Sequence, residues 1–393
     1  MLNRALLQKE VSDYIQKNYK KDLPSIILKG SPFQEIGTAE LGVQMNGLKV
    51  AEKKFPELFK TSGILYPPKL NLEQSSSQVT AEYKASLVEG DFGIDLTGGI
   101  GIDSYYMSKK FQNYIYCEIN QELAELARHN FKMLNANNIS VHAGDGLEII
   151  KNDTTQYSWI YLDPARRDNS GGKVFKLKDC EPDVPRNLEY LFRISNNILI
   201  KTSPILDISA GLDELNFVKE IHIIAVRNEV KELLWILEKG YDGPTNIKSL
   251  NIEKDIRQEF FANFEKVKNS YNYSEPEHYL YEPNAAIMKS GLFQSLAEEL
   301  NLNKLHEHSH LFTSKEKIEF PGRVFKIVDY KTYKTQDLKK HFKGSKANIA
   351  IRNFPDPVND IRKKLKIKDG GKLYLFFTTN LRNEKIVIIC EKN

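Results

Sequence analysis

The spacing of apolar and polar positions changes twice along the chain. Up to about residue 72 the apolar residues recur at helical spacing, and one such face contains Leu2, Leu6, Leu7, Val11, Tyr14 and Ile15. From Gly90 onward, short apolar runs of strand length alternate with longer amphipathic stretches. The alternation lapses at residues 271–276 and then resumes with shorter elements. The pattern predicts a helical region, a large α/β region and a smaller α/β region.

The large region contains a regular series of elements. Its apolar runs predict strands at residues 92–96, 114–117, 139–142, 159–162, 198–200 and 218–226. Its amphipathic stretches predict helices at residues 102–110, 121–134 and 229–238. Such alternation favours a largely parallel sheet with helices on both faces. Ligands of such sheets bind beyond the carboxyl ends of the strands.

The smaller region divides into two parts. The first is predicted to have a strand at 279–282, a helix that ends near Ala297 and a strand near His310. The second is predicted to have strands at 324–328, 348–352, 373–378 and 386–390, with helices at 335–342 and 357–365. Together with the boundary near residue 271, these elements predict four regions, at residues 1–72, 73–270, 278–318 and 319–393.

A glycine-rich segment follows the first predicted strand of the large region. It reads Ile94-Asp95-Leu96-Thr97-Gly98-Gly99-Ile100-Gly101-Ile102-Asp103. The glycines allow a sharp turn and a close approach of the backbone to a ligand. An acid precedes them where a dinucleotide-binding turn usually has a glycine. The segment predicts a pocket for a nucleoside with a positively charged tail, S-adenosylmethionine (SAM), and its candidate cofactor-binding residues are Asp95, Thr97, Gly98, Gly99, Gly101 and Asp103.

Two further acids follow the next two strands. Glu118 is placed to accept both hydroxyls of a ribose, and Asp145 is placed to accept the amine of an adenine. An NAD site would also use an acid after the second strand. Its glycine pattern is imperfect here, because Ser104 stands where the third glycine belongs. NAD also gives no reason for acids after the third and fourth strands, so SAM is the favoured cofactor.

The fourth strand is followed by Asp163-Pro164-Ala165-Arg166-Arg167. Here the chain resembles class I SAM-dependent methyltransferases, in which an Asp/Asn-Pro-Pro-aromatic motif marks enzymes that methylate amino groups. The resemblance implies that Asp163 and the Pro164 carbonyl position a target amine. Ala165 and Arg166 replace the second proline and the aromatic residue. Arg166 or Arg167 would then stack on a base or hold a phosphate, unless they form ion pairs with neighbouring acids.

Other chemistries are less favoured. Carbon methylation of uracil needs a cysteine nucleophile, and residues 200–204 after the fifth strand contain none, although Cys180 could reach the site. Lys201 is either a substrate contact or a solvent-facing residue. The pattern His306-x-His308-x-His310 would place three imidazoles on one face of a strand, but without an accompanying cluster of Cys or acids we expect no metal.

Composition and charge limit the class of protein. With 41% hydrophobic and 27% charged residues the chain is typical of a soluble globular protein, and no apolar run reaches the ~18 residues of a membrane span. Residues 1–21 lack the apolar core of a signal peptide, and three widely spaced cysteines favour a reduced, cytoplasmic protein.

Positive charge is concentrated at the end of the chain. Residues 318–393 carry 18 Lys and Arg against 8 Asp and Glu, whereas the whole chain has a net charge of only +4. A basic module of this kind predicts a polyanionic partner, RNA above all, or it is a solvated lysine-rich surface. The candidate phosphate contacts are Arg323, Lys326, Lys343, Lys346 and Arg352.

The tail carries a second family resemblance. From Phe320-Pro321-Gly322-Arg323 onward the chain is similar to a bacterial methyltransferase family with a C-terminal THUMP-like domain, which a small ferredoxin-like unit precedes. The stretch Ala127-Arg128-His129-Asn130 also resembles the RNA-modifying branch of class I methyltransferases. The resemblance implies an α/β fold with a Rossmann-like methyltransferase sheet, an N-terminal helical region and small C-terminal ferredoxin-like and THUMP-like units. Since THUMP domains bind RNA, it also implies an RNA substrate.

The sequence therefore predicts a SAM-dependent methyltransferase that acts on structured RNA, on a base amino group of tRNA or rRNA. Two alternatives stay open. The chain could methylate a protein or a small molecule and use its tail only for assembly. It could also be an RNA-binding protein that keeps the fold without the activity, since Ala165 and Arg166 replace the expected motif.

Overall fold

A computed structural model of the chain describes residues 2–151, 153–166, 176–264 and 271–392, except for the side chains of Ile27 and Arg166. The chain divides into two compact units. The first comprises Met1–Lys219 and Leu234–Asp242, and the second comprises Glu220–Leu233 and Gly243–Asn393. The predicted limits at residues 72, 270 and 318 stay predictions. Within the described residues, no helix is both long and apolar enough to cross a membrane.

The first unit begins with the predicted helical region. A 3-10 turn at Arg4–Leu7 precedes the helices α1 Lys9–Asn18, α2 Leu23–Leu28, α3 Thr38–Lys54, α4 Pro56–Lys60, α5 Lys69–Gln74 and α6 Gln78–Ala85. Polar side chains join this region to the rest of the unit. The amide of Asn130 pairs with the backbone of Leu65 in both directions, at 3.0 and 2.8 Å. The carboxylate of Glu57 accepts from the hydroxyls of Tyr105 and Tyr106 at 2.6 and 2.8 Å.

A parallel sheet forms the centre of the first unit. Its strands and the helices between them are β1 Gly90–Asp95, α7 Ile102–Ser108, β2 Phe111–Glu118, α8 Gln121–Met133, β3 Ile139–Ala143, α9 Gly146–Ile150, β4 Trp159–Leu162, α10 Val184–Ile194, β7 Asn197–Thr202 and α11 Ile208–Glu214. Between β4 and α10 lie two short strands, β5 Ala165–Arg166 and β6 Cys180–Glu181, and the 3-10 turn Leu177–Asp179. The parallel strands have the order β7-β4-β1-β2-β3. The order reverses between β1 and β4, and the carboxyl ends of these two strands flank the crevice where such sheets bind ligands.

One predicted helix is wrong. Residues 229–238 form strand β9 Glu229–Glu238, which follows β8 Val218–Val226 through the two-residue turn Arg227-Asn228. Both turn residues have positive φ, +52° and +62°, the conformation of a tight hairpin turn. The run from Leu233 to Leu237 is buried without interruption. A stretch that is buried on both faces has no helical polar stripe, so its apolar residues alone could not distinguish a helix from a strand.

The second unit contains two groups of strands. Strand β10 Asn246–Ile252 pairs in parallel with β8 and antiparallel with β11 Arg257–Asn263. The remaining elements are β12 Tyr279–Pro283, α12 Ala285–Ser290, α13 Phe293–Glu299, β13 Asn303–Lys304, β14 Phe312–Ser314, β15 Gly322–Thr332, α14 Thr335–Phe342, β16 Lys346–Ile351, α15 Val358–Leu365, β17 Lys368–Thr379 and β18 Lys385–Lys392. Their sheet has the order β13-β14-β12-β15-β18-β17-β16. Leu338 and Phe342 of α14 and Ile361 and Leu365 of α15 pack into one apolar cluster with this sheet.

The Phe-Pro-Gly-Arg segment has a structural role at the start of β15. A Cβ at Gly322 would lie 2.2 Å from the Glu282 carbonyl oxygen, so the close approach to β12 requires glycine. The Pro321 carbonyl accepts from Asn284 N at 3.2 Å. The segment therefore fixes the pairing of β12 with β15.

Candidate active site

The glycine-rich turn after β1 is shaped by two close approaches. A Cβ at Gly98 would lie 2.1 Å from the ring of Tyr116, and a Cβ at Gly101, where φ is +84°, would lie 2.6 Å from the ring of Phe131. The amide of Gly98 donates to the Cys117 carbonyl at 2.7 Å, which ties the turn to β2. Gly99 has a φ of +57°, and nothing lies closer than 4.0 Å to the position of its missing Cβ. The turn therefore presents open backbone at Gly99.

Asp95 lies inside this turn. Its Oδ1 accepts from Thr97 N at 2.9 Å, its Oδ2 accepts from the Ser104 hydroxyl, and only 1% of the residue is exposed. Thr97 Oγ1 in turn accepts from the amide of Asp163 at 2.7 Å. Asp95 and Thr97 thus join the tip of β1 to the tip of β4, which brings two of the predicted segments into direct contact.

Burial raises the pKa of the Asp95 carboxyl to about 7, since the low-dielectric interior disfavours its charged form. The negative charges of Asp103 and Asp163 raise it further, and the hydrogen bonds from Ser104 and Thr97 oppose the shift. The folded unit therefore keeps a proton on Asp95 that an unfolded chain releases above its ordinary pKa of about 4.

We expect this proton to make the first unit less stable as pH rises. Between about pH 4 and pH 7 the folded state binds the proton and the unfolded state does not, so Asp95 lowers the free energy of unfolding by up to ~1.4 kcal/mol per pH unit. In Asp95→Asn this decrease is absent, and the stability of the variant relative to wild type rises with pH. Urea unfolding followed by tryptophan fluorescence measures the effect, because Trp159 and Trp235 both lie in the first unit. If the free energy of unfolding changes with pH equally in wild type and in Asp95→Asn, the raised pKa of Asp95 is contradicted. The control variant is Asp91→Asn, at the amino end of β1.

Glu118 ends β2 beside the turn. Its two carboxylate oxygens accept from Gly99 N at 2.7 Å and from Asn120 N at 2.8 Å, and 8% of the residue is exposed. A carboxylate has about four acceptor positions, so Glu118 can still accept two hydroxyl groups. The next residue, Ile119, is 73% exposed. The sequence analysis did not select Ile119 as a site residue. The signal that could have identified it is an apolar residue directly after the acid that ends a strand.

Asp145 is exposed and begins helix α9, where its Oδ1 accepts from Leu147 N at 2.8 Å. Next to it, a Cβ at Gly146 would lie 2.5 Å from the Leu96 carbonyl oxygen. The start of α9 therefore packs directly on Leu96, the residue that follows β1. Asp145 is a helix cap with one further oxygen that can face a ligand.

Asp103 takes part in a buried polar cluster that was not predicted. Its Oδ2 accepts from the hydroxyls of Ser76 and Tyr161 at 2.8 and 2.9 Å, and its Oδ1 lies 3.2 Å from Nζ of Lys84. The Lys84 side chain is fully buried. Burial opposes ionisation of Asp103, but the charges of Lys84 and Lys201, with the two hydroxyl donors, lower its pKa below the usual range. The sequence signal that could have identified this cluster is Lys84 itself. It follows Ala81 by three residues and therefore lies on the same, buried face of α6.

Asp163 follows β4, whose carboxyl end flanks the crevice. Its carboxylate forms an ion pair with Lys201 of β7, and its side chain is 36% exposed while that of Lys201 is 12% exposed. Pro164 is buried, and Ala165 and Arg166 pair antiparallel with Glu181 and Cys180. Arg167 and the side chain of Arg166 lie outside the described part of the chain.

The remaining candidates have different surroundings. The Cys180 thiol is buried and donates to the Lys176 carbonyl at 3.6 Å. Residues 306–310 do not form the expected strand: His310 has a φ of +50° and stacks on Phe293. Among the described residues, no three His, Cys, Asp or Glu side chains are grouped so that they could hold a metal ion.

The five predicted phosphate contacts lie in the second unit and fall into two classes. Arg323 and Arg352 both form ion pairs with Glu282, which is 3% exposed, and the Arg352–Glu282 distance is 2.7 Å. Lys326, Lys343 and Lys346 are exposed. The two arginines therefore neutralise a buried acid, whereas the three lysines face solvent.

Over its whole length the chain is similar to a solved structure of a candidate methyltransferase from Porphyromonas gingivalis W83. The two sequences are 31% identical, the match covers 100% of this chain and 99% of that chain, and the TM-score is 0.87. The chain belongs to this methyltransferase family. Family models also match a ferredoxin-like domain at residues 279–321 and a THUMP domain-like region at residues 322–392. The predicted methyltransferase family with its ferredoxin-like and THUMP-like C-terminal units is confirmed.

Two other solved structures match part of this chain. One is TrmK of M. capricolum in complex with S-adenosylhomocysteine, at 15% identity, with 42% of this chain and 70% of that chain covered and a TM-score of 0.33. The other is a candidate RNA methyltransferase from Pyrococcus horikoshii, at 16% identity, with coverages of 48% and 98% and a TM-score of 0.35. Among proteins of curated function, none matches this chain significantly.

Proposed function

We propose that this methyltransferase binds SAM at the ends of β1, β2 and β3 and transfers the methyl group to an amino group of an RNA base at the end of β4. The observation that carries the proposal is the path of hydrogen bonds from Asp95 through Thr97 to the amide of Asp163. It holds the glycine-rich turn and the candidate acceptor site side by side.

The residues of the crevice fit the parts of SAM. The open backbone at Gly99 leaves room for the amino acid portion. The remaining acceptor positions of Glu118 suit the ribose diol, and the exposed Ile119 offers an apolar surface for the adenine ring. Asp145 has an oxygen for the adenine amine. When bound, SAM supplies a methyl group on a positively charged sulfur.

Asp163 would position the amine. Its carboxylate accepts an N–H of the target, so the nitrogen lone pair is aimed into the cofactor side of the crevice. Lys201 holds this carboxylate in place through their ion pair. After transfer the nitrogen carries an extra proton, which Asp163 can accept and pass to solvent.

Two features support RNA as the substrate. The THUMP domain-like region covers residues 322–392, and the same part of the chain carries most of the excess positive charge. The discriminating experiment measures SAM binding by isothermal titration and then tritium transfer from SAM to total RNA of cells that lack the protein. Transfer to protein and not to RNA would refute the proposed substrate.

Glu118→Ala is expected to weaken SAM binding by roughly 10- to 100-fold, because hydrogen bonds to a charged group contribute about 1.5–3 kcal/mol. Titration calorimetry measures the change. Glu89→Gln, an exposed site directly before β1 and therefore at the amino end of the sheet, is the control. Unchanged SAM affinity in Glu118→Ala would remove Glu118 from the cofactor site.

A further inference from the structure

A cluster of lysines lies at one edge of the second unit's larger sheet. Two loops meet there: the amide of Gly344 donates to the Lys366 carbonyl at 3.0 Å, and the amide of Lys368 donates to the Ser345 carbonyl at 2.9 Å. The loops and the strands that they join carry five exposed lysines, which we call the lysine edge: Lys343, Lys346, Lys366, Lys368 and Lys372.

The register of the strands brings these lysines together. Lys346 is opposite Lys368 in the pairing of β16 with β17, and the next pair is Ala347 with Leu373. Residues 369–372 therefore bulge out of the sheet beside β16, which is its edge strand. The bulge folds back on β16, since a Cβ at Gly371 would lie 3.0 Å from the Lys346 carbonyl oxygen.

The charges of the lysine edge are not neutralised locally. Within the described chain, no ion pair joins any of its five lysines to a carboxylate, and the Asp369 carboxylate is bound to Arg362 at 2.5 Å. Other cations of the unit do have acidic partners, such as Arg352 with Glu282 and Lys364 with Asp356.

Helix ends do not account for the cluster. Lys343 and Lys366 follow the ends of α14 and α15, where cations interact favourably with the helix dipole. Lys346 and Lys368 are paired on strands and Lys372 lies in the bulge, so no helix ends at any of these three lysines. The register places the like charges of Lys346 and Lys368 opposite each other on neighbouring strands, and a bound polyanion would relieve the repulsion between them.

The residues around the lysine edge indicate which class of partner it binds. Across residues 343–372, all of which the structure describes, no large apolar side chain is exposed. A membrane anchor that lies in the lipid interface inserts apolar side chains, and a protein interface has an apolar centre. A surface with an excess of exposed cations and no exposed large apolar side chain fits the sugar–phosphate backbone of a nucleic acid.

We propose that the lysine edge is the docking surface for the phosphate backbone of the RNA substrate. The proposal rests on the proposed function for the identity of the polyanion. It replaces Arg323 and Arg352 as phosphate contacts, because both arginines bind Glu282. Lys343 and Lys346 remain candidate phosphate contacts. Lys366, Lys368 and Lys372 are new candidates.

The test compares two full-length variants with the same change in net charge. The edge variant carries Lys343→Gln, Lys346→Gln, Lys368→Gln and Lys372→Gln. The control variant carries Lys→Gln at Lys9, Lys17, Lys315 and Lys317, which are exposed elsewhere. Binding of fluorescently labelled bulk tRNA is measured between about 50 and 200 mM salt, and binding to vesicles with anionic phosphatidylserine is measured in parallel.

The edge variant is expected to bind tRNA at least about tenfold more weakly, with the slope of log K against log salt reduced by about 3. The control variant is expected to change little. Equal losses in both variants, no tRNA binding by wild type, or an effect on vesicles and not on RNA would each overturn the proposal.

Methyl transfer distinguishes this proposal from the proposed function. If wild type and edge variant transfer methyl groups to RNA equally well at every salt concentration, the docking surface is refuted and the enzyme activity stands. If wild type transfers none but the edge variant still loses tRNA binding, the docking surface stands and the methyltransferase proposal fails.

Discussion

Asp163→Ala is expected to reduce methyl transfer to RNA by about 10²- to 10⁴-fold, the range typical of losing a positioned proton acceptor, while SAM affinity stays within about threefold of wild type. SAM affinity is expected to change little because Asp163 lies at the end of β4, beside the glycine-rich turn but not part of it. Its backbone amide, which anchors Thr97, survives the substitution. Transfer is measured with tritiated SAM, and cofactor affinity by calorimetry.

Asp91→Ala is the matched control for this result. Asp91 is exposed near the amino end of β1, where it accepts from the side chain of Gln112 at 2.7 Å, and normal transfer is expected. Lys201→Gln tests the ion pair with Asp163: a lower kcat of transfer with an unchanged KM for SAM indicates that Lys201 acts by positioning Asp163. Normal turnover in Asp163→Ala would remove Asp163 from the reaction.

Lys84→Met is expected to lower the free energy of unfolding of the first unit by about 3–5 kcal/mol, the cost of leaving a buried charge without its partner. The methionine has a similar length but no charge, so Asp103 remains buried with two hydroxyl donors and no cation on α6. A loss of this size is a large part of the stability of a typical domain. Urea unfolding followed by the fluorescence of Trp159 and Trp235 reports it.

The double variant Lys84→Met/Asp103→Asn identifies the cause. If the unpaired charge destabilises Lys84→Met, the neutral amide restores a large part of the loss, since it can still accept from Ser76 and Tyr161. Lys20→Met, at the exposed pair with Glu52, should leave stability nearly unchanged. A double variant no more stable than Lys84→Met would mean that packing, and not the charge of Asp103, sets the loss.

The limits of some strands and helices could be predicted, because the local sequence pattern determines them. The strand Trp159–Leu162 and the helix Thr335–Phe342 match their predicted limits, since a short apolar run and a helical spacing are both visible in a single segment. The helix predicted at residues 229–238 is wrong, because its central run is buried on both faces. Strands β10 and β11 were missed, since β11 is mostly exposed or half-buried and has only a short apolar run, and the parallel partner of β10 in the sheet, β8, lies more than twenty residues earlier.

The amino-acid sequence by itself determined the alternation of strands and helices from β1 to β4, the glycine-rich turn and the acids that end successive strands. These features arise from backbone preferences and from the period of apolar residues, which act over a few positions. Only the tertiary structure decided which charges meet. It pairs Lys84 with Asp103 and Lys201 with Asp163, and it binds Arg323 and Arg352 to Glu282. It also gathers the five lysines of the lysine edge. The physical reason is that a Coulomb interaction depends on distance and burial in space, which the spacing of residues along a chain does not fix.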